Sequence, residues 1–295
     1  MLSKNQLRLQ FLVLLWGFTG LFGKLVTISA LPMVWFRMSI AAVAIFFYLK
    51  FTKKTIRISK INLIKLLGIG TIVSLHWFTF YQSIKVSNVS VALSTLSLGA
   101  LFTSILEPIL FKRKVVLSEI ILSLIVSICV GWIFQASPQY KEGIIYGVIC
   151  SFLSALFSIL NAKMKDEVEP ANITFYEMIG GFLMMNVLML FFQPETFTEV
   201  MHVGWSNFTW LVLLAVVFTA FAQIESIHLF QFFSPYTILL NINLEPVYGI
   251  ILASLVFGDS EKMTPVFYIA TGIMILSIIV NGVIKSKQKS NLNHS

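Results

Sequence analysis

An acidic residue in the middle of a long apolar segment is the first feature with a capacity for chemistry. Glu245 lies near the centre of the apolar run 235–257, precedes Pro246, and has Asn241 and Asn243 within about one turn. Proline removes a backbone donor and disturbs a helix, which leaves carbonyl groups that a ligand can use. We predict that Glu245 and the two asparagines bind a ligand or a proton. A protonated glutamate that caps a helix break is the alternative.

A histidine with neighbouring aromatic residues forms a second group of this kind. His76 and Trp77 are followed by Tyr81 and Gln82 in the run 66–84. Aromatic and amide groups that converge in an apolar interior are typical of a pocket for a small metabolite. A lone histidine in such a run also serves as a packing residue that bridges helices, and both interpretations remain open at this point.

Two charged residues occupy matching places in the two halves of the chain. Arginine keeps its charge, so Arg37 must reach water, pair with an acid or meet an anionic ligand such as a carboxylate. The alternative is packing support, or a place at the edge of the apolar layer, where a long side chain extends to water. The same two interpretations apply to Glu177, and Trp16 and Tyr248 are predicted to shape the pocket.

Three more charged residues lie near the ends of their apolar runs. The side chain of Lys24 is long enough to reach the nearer end of its run, and Glu107 is close to the basic residue Lys112. Glu225 lies near the end of the run 208–229, where water can solvate it. Structural roles are favoured for all three.

The overall composition identifies the environment of these segments. Of the 295 residues, 57% are apolar and 12% are charged, against about 25% charged residues in a soluble domain. So few charged groups cannot cover the surface of a soluble protein, whereas a bilayer accepts an apolar surface. The net charge of +8 lies in short clusters between apolar runs, a pattern of membrane orientation, and we expect no nucleic-acid partner.

The apolar runs have the length of membrane spans, which need about 20 residues each. They cover residues 9–29, 33–51, 66–84, 89–111, 117–136, 143–163, 172–193, 208–229, 235–257 and 264–284. The sequence therefore predicts an all-α integral membrane protein with ten transmembrane helices.

The distribution of lysine and arginine predicts the orientation. With a cytoplasmic N-terminus, sixteen of these residues fall on the cytoplasmic side and four on the other, with Lys24 inside a span. Such a bias is characteristic of loops that face the cytoplasm. Both termini are expected there, which requires an even number of spans.

The chain also reads as two copies of one unit. Pro32 introduces the second run and Pro170 the seventh, and a displacement of about 146 residues aligns Phe111 with Phe257 at the ends of the fourth and ninth runs. Five spans per copy is an odd number, so the second copy must be inverted in the membrane. Inverted repeats with a binding site between them are a transporter architecture.

Enzymatic and metal-binding signatures are absent from the sequence. No G-x-x-x-x-G-K-[ST], H-E-x-x-H or G-x-S-x-G motif occurs, so ATP-driven pumping by a P-loop of its own is excluded. Cys129 and Cys150 lie in apolar runs without a C-x-x-C pair or a histidine at metal spacing. No cofactor and no metal are expected.

Several segments resemble the EamA family of the drug/metabolite transporter superfamily. In the first half they are Leu15-Trp16-Gly17 with Lys24, Phe36-Arg37, His76-Trp77 with Tyr81, and Ile84 to Ala92. In the second half the resemblance is strongest from Asn243 to Ala253. One departure is Gly258-Asp259, where the family typically has Gly-Glu.

The resemblance implies two five-helix units, which we place at 1–138 and 139–285, with a cytoplasmic tail at 286–295. It also implies a multi-pass protein of the bacterial inner membrane that carries small metabolites by alternating access. Export of amino acids or related compounds is expected, through a cavity lined by spans 1–4 and 6–9. A proton is the expected coupling ion if transport is coupled, and a homodimer is compatible with the resemblance.

Two other classes of function fit the sequence less well. An intramembrane lipid-modifying enzyme needs a nucleophile paired with a base, or acids clustered at one depth, and the buried acids are scattered. A subunit or sensor without transport needs extramembrane surface, which the short loops do not supply. The sequence thus favours a transporter over an enzyme.

Overall fold

The computed structural model describes residues 4–112, 114–242 and 244–292. The described residues form helices and connecting turns, without strands. The α-helices are α1 Lys4–Leu25, α2 Ala30–Phe51, α3 Lys60–Val86, α4 Val89–Leu96, α5 Gly99–Phe111, α6 Leu117–Ala136, α7 Lys141–Met164, α8 Pro170–Phe192, α9 Thr196–Met201, α10 Trp205–Ala215, α11 Ala222–Leu229, α12 Pro235–Ile242, α13 Glu245–Phe257 and α14 Pro265–Leu292. Short 3₁₀ helices cover Pro138–Tyr140 and Gly258–Glu261, and Val216–Phe221 is a π-helix.

Local sequence signals account for several helix ends. The Ser59 side chain accepts a hydrogen bond from the Asn62 backbone at the start of α3, and Asn88 does the same for Val91 at the start of α4. Such caps satisfy backbone donors that have no partner inside the helix. Helix α13 ends at Gly258, whose φ of 55° is favourable for a residue without a β-carbon.

Six helical segments are long and apolar enough to cross a membrane by length and composition. They are Ala30–Phe51, Lys60–Val86, Val89–Phe111, Pro138–Met164, Pro170–Phe192 and Trp205–Leu229. Ile120–Ala136 and Pro265–Ser277 are apolar but shorter. Each of the ten predicted runs coincides with one helix or with consecutive helices. The all-helical membrane fold is therefore confirmed, while the count of ten spans stays a prediction.

The fourth and ninth runs are each broken into two helices at the same place. Helix α4 ends at Leu96 and α5 begins at Gly99, while α12 ends at Ile242 and α13 begins at Glu245. The displacement of 146 residues that aligns the ends of these runs relates all four boundaries. Glu245 therefore begins a helix beside a break, as the adjacent proline suggests.

Helices of one half of the chain pack against helices of the other half. Helix α1 packs against α13 near the break in the ninth run, and its counterpart α7 packs against α4 and α5. Helix α2 packs against α8, and α6 packs against α14. The last pair shares a smaller apolar cluster at one side of the bundle, which leaves the main core to the other helices.

Glycines bring the helices into close contact. Three glycines at every third position of α1 meet three partners, since β-carbons at Gly17, Gly20 and Gly23 would lie 2.7–2.8 Å from side-chain atoms of α13, α4 and α3. On α3, a β-carbon at Gly70 would overlap the backbone carbonyl of Glu177. Small residues at such contacts let helix backbones approach closely.

We predict that Gly70→Ala destabilises the folded protein, because the added methyl group meets rigid backbone and forces α3 and α8 apart. Overpacking of this kind costs about 1–3 kcal/mol. Gly68→Ala is the matched control on the same helix, since nothing lies within 4 Å of its β-carbon position. Thermal unfolding of the detergent-purified protein measures the difference, and equal melting temperatures for the two variants would contradict the packing argument.

Candidate functional site

A buried cavity lies where both halves of the chain meet. Its walls are formed by Trp16, Thr19, Arg37, His76, Trp77, Phe80, Leu96, Ser154, Phe157, Ser158, Gln223, Ser226, Ile238, Ile242 and Glu245. The cavity volume is about 60 Å³. Five of the predicted site residues therefore converge here from four different helices, namely Trp16, Arg37, His76, Trp77 and Glu245.

Arg37 is the centre of the polar contacts in this cavity. Its Nε donates to the Thr219 hydroxyl at 2.6 Å, and its Nη1 donates to the Tyr81 hydroxyl at 3.0 Å. The guanidinium carbon lies 3.5 Å from the centre of the Trp77 ring, a cation–π contact. With 2% of its surface exposed, Arg37 does not extend to water, and the interpretation as an interfacial arginine was wrong.

The Thr219 hydroxyl that accepts from Arg37 lies in the π-helix Val216–Phe221. The Thr219 hydroxyl donates to the Leu214 carbonyl five residues earlier, at 2.8 Å, and accepts from Arg37. Single π turns within longer helices are frequent at functional sites. Sequence reasoning missed Thr219, because no residue type or spacing marks a π turn inside an apolar run.

Glu245 is the acidic residue of the cavity wall. It is 5% exposed and lies in the first turn of α13. The N-terminal end of a helix carries a partial positive charge that favours an acidic group. The cavity thus holds one cationic and one acidic side chain, contributed by different halves of the chain.

His76 both bridges two helices and faces the cavity. Its Nδ1 lies 2.9 Å from the carbonyl oxygen of Cys150 on α7, and a carbonyl only accepts, so Nδ1 carries the proton in this bond. The ring lies 5.2 Å from that of Phe157. The packing interpretation and the pocket interpretation of His76 are therefore compatible.

Other predicted site residues lie beside the cavity rather than in its wall. Tyr81 is fully buried and reaches the site through Arg37. The Oδ1 of Asn241 accepts from Gln10 at 2.7 Å, which joins α12 to α1. Tyr248 packs where Gly17 leaves space on α1. Asn243 lies outside the described residues.

Glu177 lies in a neighbouring buried position. It is 0% exposed, and its Oε2 accepts from Nε2 of the cavity residue Gln223 at 3.4 Å. Gln223, Ser154 and Ser158 were not predicted as site residues. The two serines are four residues apart on one face of α7, which is a signal that a search for small polar residues at helical spacing could have found.

The three charged residues near the run ends have defined neighbours. The amine of Lys24 lies 3.0 Å from the Glu261 carboxylate, whose other oxygen accepts from the Ser90 backbone at the start of α4. Glu225 pairs with Arg8 and is not simply solvated. Glu107 is 6% exposed.

A helical bundle in two related halves, with a polar cavity between them, is an architecture that many membrane transporters share. The sequence profile of the EamA-like transporter family matches residues 9–135 and 141–283. The chain belongs to this family, which confirms the resemblance seen in the sequence. It is a multi-pass membrane protein, and its family supports the transport of small molecules.

Solved structures show the same fold. One, titled "Crystal structure of protein", superposes with a TM-score of 0.68 over 95% of this chain and 97% of its own, at 12% sequence identity. Identity at this level establishes the fold alone. A comparison with curated proteins gave no match.

We predict that Tyr81→Phe lowers the melting temperature, because Arg37 loses an acceptor in a dry interior. Hydrogen bonds to charged groups contribute about 1.5–3 kcal/mol. Tyr248→Phe is the control, since its hydroxyl makes no hydrogen bond to any of the residues that the structure describes. Equal melting temperatures of the two variants would show that the Arg37–Tyr81 hydrogen bond does not stabilise the folded protein.

Proposed function

We propose that the protein is a secondary or facilitative carrier of zwitterionic metabolites such as amino acids, and that it works by alternating access as an exporter. The observation that carries this proposal is the presence of both Arg37 and Glu245 in the wall of one buried cavity. A free amino acid presents a carboxylate and an ammonium group a short distance apart. Arg37 is suited to the first group and Glu245 to the second.

The remaining walls suit the rest of such a molecule. Trp16, Trp77 and Phe80 offer aromatic surface to an apolar side chain, while Ser154 and Ser158 offer hydroxyl groups. Pockets that combine apolar walls with a few polar groups in fixed positions are typical of metabolite sites. Arg37 is already oriented by its own hydrogen bonds, so little ordering is required on binding.

The cavity must widen to hold a metabolite. Its volume of about 60 Å³ is well below the roughly 300–1,000 Å³ of ligand pockets. The small volume supports a closed arrangement in which the proposed cargo site is contracted. Movement of the two halves against each other supplies the required space.

Two layers of polar contacts join the halves on opposite sides of the cavity. On one side Arg8 pairs with Glu225, and the Gln10–Asn241 bond lies beside it. On the other side Lys24 pairs with Glu261, and the carboxylate of Glu199 accepts from the backbone and hydroxyl of Ser29 at 2.7 and 2.9 Å. Every one of these contacts crosses between the halves. Breaking one layer while the other persists is what alternating access requires.

The membrane topology is part of the proposal. We infer ten spans in two inverted repeats, 1–138 and 139–285, with both termini and the tail 286–295 in the cytoplasm of a bacterial cell. The shared helix breaks support the repeats, and the one-sided distribution of lysine and arginine supports the orientation. The lipid bilayer and a small-molecule cargo are the implied partners, and a homodimer stays a prediction.

We predict that proteoliposomes containing the purified protein exchange radiolabelled amino acids across the membrane. Empty liposomes and liposomes with heat-denatured protein are the controls. Absence of exchange for every amino acid would overturn the proposed cargo class. Lipid turnover in place of exchange would point to an intramembrane enzyme instead.

A second prediction concerns the charged pair. Glu245→Gln removes the partner for the ammonium group, so the KM for amino acids should rise about ten- to a hundredfold, since a hydrogen bond to a charged group contributes about 1.5–3 kcal/mol. The KM for the matching carboxylic acid without the amino group should change little. Glu169→Gln, which alters an exposed pair with Lys54, is the control. Equal effects of Glu245→Gln on both compounds would contradict the assignment.

A further inference from the structure

A group of three buried polar side chains lies beside the cargo cavity. Glu177 on α8, Asn161 on α7 and Gln223 on α11 are 0%, 1% and 6% exposed. Gln223 also belongs to the cavity wall. The group therefore adjoins the cargo site without forming part of its charged pair.

The hydrogen bonds of this group are incomplete. Gln223 donates to one oxygen of Glu177 at the long distance of 3.4 Å. Asn161 lies next to the carboxyl group of Glu177, yet Oε1 of Glu177 and the two amide atoms of Asn161 make no hydrogen bond of regular geometry to the described residues. Buried polar groups are normally satisfied, so this group has hydrogen-bonding capacity that a proton on the carboxyl can use.

No cation balances a charge on Glu177 among the residues that the structure describes. The buried titratable groups on the surrounding helices have other partners. Arg37 bonds to Thr219 and Tyr81, and His76 bonds to Cys150. Lys65, near the start of α3, pairs with Glu167. An ionised carboxylate buried without a neighbouring cation is strongly unfavourable, whereas a protonated carboxyl gains a donor for a neighbouring amide oxygen.

From this geometry we propose that Glu177 is a proton-binding site separate from the cargo cavity, and that the carrier couples cargo movement to proton movement through it. The inference rests on the proposed carrier function. In the closed arrangement the proton is bonded to a Glu177 oxygen. When the cavity opens to one side, water reaches the carboxyl past Gln223. The O–H bond then breaks, the proton leaves as hydronium, and the carboxylate remains until it is reprotonated.

The link between the two sites is a single helical rod. Thr219 in the π-helix accepts from Arg37, and Gln223, four residues later, donates to Glu177. Residues four apart lie on one side of a helix, so a shift of this rod changes both contacts together. The backbone of Glu177 is packed tightly on Gly70, which makes the rod, rather than α8, the mobile partner.

The test compares wild type with Glu177→Gln in proteoliposomes loaded with a radiolabelled amino acid mixture. For one proton per cargo, a gradient of one pH unit should drive wild-type accumulation up to about tenfold, and a protonophore should abolish it. Glu177→Gln should keep counterflow exchange and lose accumulation. Glu167→Gln, an exposed acid paired with Lys65, should behave as wild type.

Several results would overturn the inference. They are wild-type exchange without any response to the pH gradient, accumulation that follows a sodium gradient instead, and accumulation that persists in Glu177→Gln. Loss of counterflow in a folded Glu177→Gln protein would assign Glu177 to the cargo site. No exchange by wild type would instead remove the carrier function on which the inference rests.

A second variant covers the case in which Glu177→Gln does not fold. Asn161→Leu keeps the carboxyl but removes the neighbouring amide, so it should displace the pH profile of accumulation while counterflow continues. An unchanged profile would count against a proton on Glu177. Monodispersity and the melting temperature of each variant establish that it is folded.

Discussion

The burial of a permanently charged guanidinium is the constraint on which the rest of the site depends. Arg37 cannot release its proton, and in an apolar interior it must be solvated by protein groups. Thr219, Tyr81 and the face of Trp77 do this, and the acidic Glu245 lies in the same cavity wall. These partners come from three other segments of the bundle. Correct assembly of both halves is therefore a condition for burying the charge at all.

Two departures from regular helix geometry meet this demand. The π-helix turns the Thr219 hydroxyl toward Arg37, and the break before α13 places Glu245 at a helix start beside the cavity. Irregular backbone at membrane depth is tolerated where it lines a cavity or is buried in protein. Both irregular segments belong to the second half of the chain, whereas Arg37 belongs to the first. The cavity is accordingly an interface between the halves, and relative movement of the halves changes its size.

Contacts that cross between the halves recur on both sides of this cavity. The Arg8–Glu225 and Lys24–Glu261 pairs are interactions between partly exposed groups, and such pairs contribute little stability, about 0–1 kcal/mol. Weak contacts between the halves are compatible with the proposed carrier, in which each must open repeatedly. The buried hydrogen bonds of Arg37 involve a charged group and contribute more, about 1.5–3 kcal/mol each.

The sequence by itself determined the membrane character, the helical fold and the family, and it showed which charged residues lie within apolar runs. These follow from local quantities, namely apolar length, helix caps and the types of the few polar residues. Only the tertiary structure decided which residues share a wall. It placed Arg37 against Thr219, and it separated Glu177 from the cavity by Gln223. The physical reason is that helices in a bilayer are individually stable, whereas their rotation, depth and partners are set by packing between distant segments.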